Sequence, residues 1–114
     1  MELHGHILRH AATEVVHTTR GPCSIGYVLA ELERRGFAVE EPERKRVSDA
    51  LRSSVGNGRV IRHARGRYVA GRISHGTRRR WQRRLRGLDA YGRRHPEASL
   101  GEGIAWARGH RYWH

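Results

Sequence analysis

The sequence predicts an α+β protein, mainly α, in which three helices and a β-hairpin make one domain over residues 1–73. Three observations carry this. Apolar residues recur at helical spacing in three segments separated by Gly- and Pro-containing breaks. Two β-rich runs then flank a short glycine-containing turn. Finally, 18 of the 22 Leu, Ile, Val and Phe residues lie in residues 1–73, so one small core belongs to the first two-thirds of a chain whose 114 residues suit a single domain.

From Glu2 to His17 the residues Leu3, Ile7, Leu8, Ala11 and Val15 follow helical spacing. His6, His10, Thr13 and His17 fall on the opposite side of the wheel, a position that reads as solvent-facing. Gly21-Pro22 breaks this first helix. Ser24 caps a second, with Ile25, Val28, Leu29 and Leu32 inward, and Gly36 after Arg34-Arg35 stops it. Phe37 and Val39 should pack just beyond. Glu41-Pro42-Glu43 opens a third helix, since proline is tolerated at the first helical position and acids suit the positive end of the helix dipole. Its inner face is Val47, Ala50, Leu51, Ser54 and Val55, and Gly56-Asn57-Gly58 ends it.

Arg59–His63 and Arg67–Ala70, joined by Ala64-Arg65-Gly66, read as an antiparallel hairpin. A bare hairpin is marginal in water, so it must lean on the helices. Residues 74–95 form an arginine-rich helical extension: Thr77 is placed to cap a helix reaching about Gly92, with Trp81, Leu85 and Leu88 as a narrow apolar stripe. Gly87 weakens that helix by roughly 1 kcal/mol relative to alanine. Residues 96–114, with three glycines among Trp106, Tyr112 and Trp113, read as disordered, packed on the domain, or a partner-docking tail.

Charge is distributed as unevenly as the apolar residues. The net +12 averages four basic and seven acidic residues in 1–43, 17 and two in 44–95, and two and two in 96–114. A block of that density attracts polyanions, nucleic acid first and an anionic membrane surface second. No stretch approaches the apolar length of a membrane span and no signal peptide is evident, so the expectation is a cytoplasmic protein, nucleoid-associated, or a nuclear one in a eukaryote. Cys23 is alone, which excludes an internal disulfide and suits a small buried hydrophobe.

The order helix, helix, helix, hairpin resembles the winged helix-turn-helix family of DNA-binding proteins over residues 3–73. The residues that carry the resemblance are Pro22-Cys23-Ser24-Ile25 leading into the second helix, Val47-Ser48-Asp49-Ala50-Leu51 in the third, and Gly58-Arg59-Val60 with Arg65-Gly66-Arg67-Tyr68 in the hairpin. It implies a recognition helix at 42–55 and a wing at 62–67, bound to double-stranded DNA without catalysis.

Helical geometry alone turns Lys45, Ser48, Asp49 and Arg52 outward once Val47, Leu51 and Ser54 are buried, and a B-DNA major groove admits one helix. Lys45 and Arg52 are candidates for base edges or phosphates and Ser48 is an adaptable hydrogen-bonder; Arg44 and Arg46 flank them toward the phosphates. Asp49 either accepts from a cytosine amine or orients Lys45 or Arg52 as a helical neighbour. Arg62, Arg65 and Arg67 suit a minor groove, or else keep a sheet edge soluble. Arg78, Arg79, Arg80 and Arg83 extend the basic surface along the phosphate backbone. The same helix could instead pair two copies through its apolar stripe, or Trp81 and Tyr91 could stack on unpaired bases.

A transcriptional regulator is the leading reading. A sequence-tolerant architectural protein is one rival, and a protein- or RNA-binding module is another. His6/His10 and His110/His114 have the spacing of metal-binding pairs but lack a third local ligand, so neither a metal nor any other cofactor is expected. No nucleophile elbow, P-loop or paired-carboxylate arrangement supports catalysis, and no small-molecule ligand is inferred.

Overall fold

The computed structural model describes residues 1–113. Its elements are β1 (Glu2–Leu3), α1 (Gly5–Thr18), α2 (Ile25–Arg34), β2 (Ala38–Val39), α3 (Glu43–Gly56), β3 (Val60–Ala64), β4 (Arg67–Ala70), α4 (His75–Arg94) and α5 (Leu100–Gly109). The fold is α+β and mainly α.

The local chemistry of each boundary explains where it falls. Ser24 Oγ accepts from Tyr27 N at 3.0 Å to cap α2, and Gly36 leaves that helix at φ +92°, a conformation side chains rarely adopt. Glu43 supplies the acid in the first turn of α3. Strands β3 and β4 pair antiparallel, with Val60 opposite Ala70 and Arg62 opposite Tyr68. Cys23 and Tyr68 exchange both backbone hydrogen bonds, at 2.8 and 2.9 Å, which ties the hairpin to the α1–α2 connection. Cys23 itself is buried, as expected.

Two boundaries differ from the sequence reading. The first helix starts at Gly5 because Glu2–Leu3 pair in parallel with Ala38–Val39, a contact between distant segments that periodicity does not report. The extension is capped by Ser74, whose Oγ accepts from Thr77 N at 3.2 Å, and it runs to Arg94.

The larger difference concerns α1. Its side bearing His10, Thr13 and His17 is covered, not solvent-facing, and Ala11–Val16 are buried without a break. α4 folds back along α1 in the opposite direction: its first turns meet Glu14 and His10, and Gly92 near its end lies beside Met1. α1 is thereby packed by α2 and α3 on one side and by α4 on the other. Thr13, His17 and His10 each have a specific neighbour, although His10 Nδ1 has no hydrogen-bond partner among the described residues. Thr13 Oγ1 and Ser54 Oγ lie 2.7 Å apart, His17 Nε2 is 2.8 Å from the Arg59 carbonyl, and the His10 ring stacks on Trp81 at 4.1 Å between centroids. Of the four positions only His6 is exposed.

Leu88 and Leu100 belong to the same core as Ile7, Leu32 and Leu51. The stripe of Trp81, Leu85 and Leu88, read as a surface for self-pairing, with Trp81 also read as a base-stacking residue, is turned inward: Trp81 is 4% and Leu88 0% exposed. Residues 100–109 are helical, capped by a reciprocal Ser99–Glu102 box, and α5 packs on α4. Beyond it, Tyr112 lies against Gly87, where an added Cβ would meet the ring at 2.5 Å. The glycine that weakens α4 in isolation is what admits this close approach. Trp106 joins Tyr91, His110 and Tyr112 in one aromatic group.

Candidate nucleic-acid interface

The hydrogen-bonded register puts Arg62 across from Tyr68, and Tyr68 faces inward, so Arg62 leans toward the helices. α3 meets this surface with Ser48, Arg52 and Val55. Together Ile25, Ser48, Arg52, Val55, Arg62, Arg65, Gly66 and Tyr68 line one cleft between α3 and the hairpin. Its rim carries three guanidinium groups, its floor is Ile25, Val55 and Tyr68, and none of these lining residues is acidic.

The remaining candidates are distributed around that cleft. Lys45 and Arg52 project from the outer face of α3, 71% and 77% exposed, on either side of Asp49. Asp49 Oδ2 lies 3.2 Å from Lys45 Nζ and its Oδ1 lies 3.7 Å from Arg52. That arrangement matches the helical-neighbour reading of Asp49. Arg46 turns toward the start of α1 and pairs with Glu40 at 3.9 Å. Arg44 turns the other way and lies over Gly26 of α2. Arg67 sits on the opposite face of β4 from Tyr68 by strand alternation, pointing away from the cleft.

α4 divides its arginines between two roles. Arg78 is drawn inward by Glu14, which is 3% exposed: its Nε donates to Oε2 at 3.1 Å and its Nη2 to Oε1 at 2.7 Å. Gln82 Nε2 adds a third bond at 2.8 Å. Sequence reasoning missed Glu14. A lone acid inside the apolar run Ala11–Val16 is the signal that points to it, because a buried carboxylate demands a partner. Arg79 and Arg80 are exposed and Arg83 half-exposed, all on the side of α4 away from α1, so they do not join the α3–hairpin cleft.

Arg84 lies over the Trp113 ring at 4.8 Å. Its affinity for a proton is lowered, first by burial and then by Arg80 and Arg108. Around His10 the charges also share one sign: burial first, then His6, Arg84, Arg59 and Arg9, push its pKa down to about 3. His10 is therefore neutral at physiological pH. Tyr91 is half-buried, with its ring against those of His95 and Trp106 at a tilt.

Among the described residues no three His, Cys, Asp or Glu side chains gather as a metal site; the His110/His114 pair lies outside them, since His114 is not described. No described helix is long and apolar enough to cross a membrane. Comparison with protein-family models, curated proteins and solved structures gave no match.

Proposed function

We propose that this chain is a non-catalytic, double-stranded DNA-binding protein of the winged-helix kind, with α3 in the major groove and the β3–β4 hairpin as a wing on the adjacent minor groove or backbone. The observation that carries the reading is the cleft in which Ser48 and Arg52 of α3 face Arg62 and Arg65 of the hairpin. Two successive elements, a helix and the hairpin that follows it, converge there on one chemistry, a fork of guanidinium groups suited to phosphate and guanine. Further support comes from the paired Cys23 and Tyr68 backbones, which hold the hairpin against the helices. Lys45, held beside Asp49, and the flanking Arg44 and Arg46 are phosphate or base-edge contacts in this reading. Regulation of transcription would follow from occupancy of particular sites.

Duplex binding as a function of salt tests the proposal. Contacts to six or more phosphates should lower affinity by about 10³-fold or more between 50 and 200 mM salt. Arg52→Ala with Arg65→Ala should reduce the salt slope by about one for each phosphate that the variant no longer neutralises. Equal binding at the two salt concentrations, or a slope unchanged in the double variant, would overturn it. Competition with random duplex then separates a regulator, which should prefer its site by about 10³-fold, from a sequence-tolerant architectural protein. Preference for single-stranded competitor would move the reading to RNA or unpaired DNA.

A further inference from the structure

The cleft between α3 and the hairpin accounts for less than half of the basic residues in 44–95. Arg79, Arg83 and Arg86 recur at intervals of four and three along α4, on the side opposite Trp81, Leu85 and Leu88. At a helical rise of about 1.5 Å per residue they stand on successive turns, roughly 4.5–6 Å apart along the axis. Arg80 flanks the row, close enough to Arg84 that its charge acts on that guanidinium. Among the described residues none of Arg79, Arg80, Arg83 and Arg86 has a carboxylate within ion-pairing distance, whereas Arg78 and Arg93 on the same helix are both paired, with Glu14 and Asp89.

The row faces away from the cleft. Around α1, Leu8, Arg9 and Thr13 border α3, and His10, Glu14 and His17 border the first turns of α4. At about 100° per residue these two sets are centred roughly 130° apart. Two helix-packing distances of 8–10 Å at that angle separate the axes of α3 and α4 by roughly 14–18 Å, in a molecule 40 × 30 × 21 Å. The outward side of α4 lies farther still. A straight duplex seated on α3 and the hairpin would leave this row unoccupied.

We propose that the outward face of α4 is a second polyanion site that takes a second DNA duplex, so that one molecule bridges two duplexes. This rests on the reading of α3 and the hairpin as the first duplex site. The chemistry of the face favours nucleic acid over a protein partner. Protein interfaces bury aromatic and aliphatic side chains at their centre and are depleted in charge there, and the large apolar residues of α4 are turned inward. A row of arginines one helical turn apart matches a partner of uniform, dense negative charge.

The test uses the full chain, a short duplex immobilised on a surface and a second, labelled duplex free in solution. The variant carries Arg79→Glu, Arg80→Glu and Arg83→Glu, positions with no ion pair among the described residues, and its fold is checked by circular dichroism. Wild type should retain the labelled duplex. The triple variant should bind the immobilised duplex comparably to wild type and lose at least about tenfold of the labelled capture. Binding of one duplex by wild type without capture of a second would overturn the bridging inference and leave the α3–hairpin proposal intact. Capture that persists in the triple variant would assign it to self-association, and loss of both binding modes in that variant would place α4 on the first duplex; either overturns the inference. Failure of wild type to bind any duplex would overturn both proposals.

Discussion

Arg52 and Arg78 stand on amphipathic helices in the same basic half of the chain, and their surroundings differ in one respect that decides what each does. Arg52 meets water and one exposed acid, Asp49, at 3.7 Å with 77% of its side chain exposed. Arg78 meets a carboxylate that is 3% exposed and holds it with two hydrogen bonds. An exposed pair contributes little because water competes for both charges. A buried carboxylate has no such alternative, so removing its partner, or leaving the partner without it, is costly. The α3–hairpin face is thus a surface of available charge, whereas the α1–α4 seam uses the same residue type as a fastener. Arginine count alone does not separate these roles; the burial of the acid opposite does.

Breaking the seam should have the largest effect. Glu14→Ala leaves the Arg78 guanidinium without its partner and is expected to cost about 3 kcal/mol of unfolding free energy, at the low end for a buried pair because Arg78 keeps some contact with water. Arg52→Ala should change stability by no more than about 0.5 kcal/mol. Urea unfolding of the two variants checks the contrast. Equal losses would mean that the seam and the open face do not differ in the way their burial implies.

The parts of the fold legible in the sequence are those governed by neighbours in the chain. Ser24, Gly36 and the Glu43 turn set their boundaries by local hydrogen bonding and backbone conformation, and the hairpin follows from its alternating β-rich runs around Gly66. Helical phase alone turns the α3 residues Lys45, Ser48 and Arg52 outward, and they are outward. What the sequence hides depends on a second element arriving from far along the chain. His10, Thr13 and His17 look like a wet face until distant residues arrive: Trp81 of α4 stacks on His10, Ser54 of α3 meets Thr13, and the Arg59 carbonyl meets His17. The β1–β2 pair is two residues long and has no pattern of its own. Arg78 is indistinguishable from Arg79 in sequence; only the position of Glu14 separates them.

Gly87 offers a gentler way to separate the core from its C-terminal cover. Alanine there should favour α4 by about 1 kcal/mol through helix propensity, yet its Cβ would meet the Tyr112 ring at 2.5 Å. Gly87→Ala is therefore expected to release the segment around Tyr112 and Trp113 while leaving the melting transition within a few degrees of wild type. Faster proteolysis after Gly109 and a red-shifted tryptophan emission would register the release, since Trp113 would leave Arg84. Unchanged proteolysis and emission would mean that Tyr112 can yield without letting go of α4.

The smallest effect tests the seam from its neutral side. His10 is packed between Trp81 and a surround that includes His6, Arg84, Arg59 and Arg9, and its pKa is pushed down to about 3 from an ordinary 6.5. A folded-state pKa below the unfolded one means that the unfolded chain takes up the proton first as pH falls. The stability associated with neutral His10 is thus complete above about pH 6.5 and is lost progressively toward pH 3. His10→Phe keeps an aromatic ring against Trp81 and removes the titration. Between pH 6.5 and about 5, where ordinary carboxylates stay largely ionised, the unfolding free energy of wild type should fall more steeply than that of the variant. The ring is partly open to water, so the difference in slope should stay below about 1 kcal/mol per pH unit. Parallel slopes would show that His10 takes up a proton as readily in the folded protein as in the unfolded chain, and that α4 does not exclude water from this side of α1.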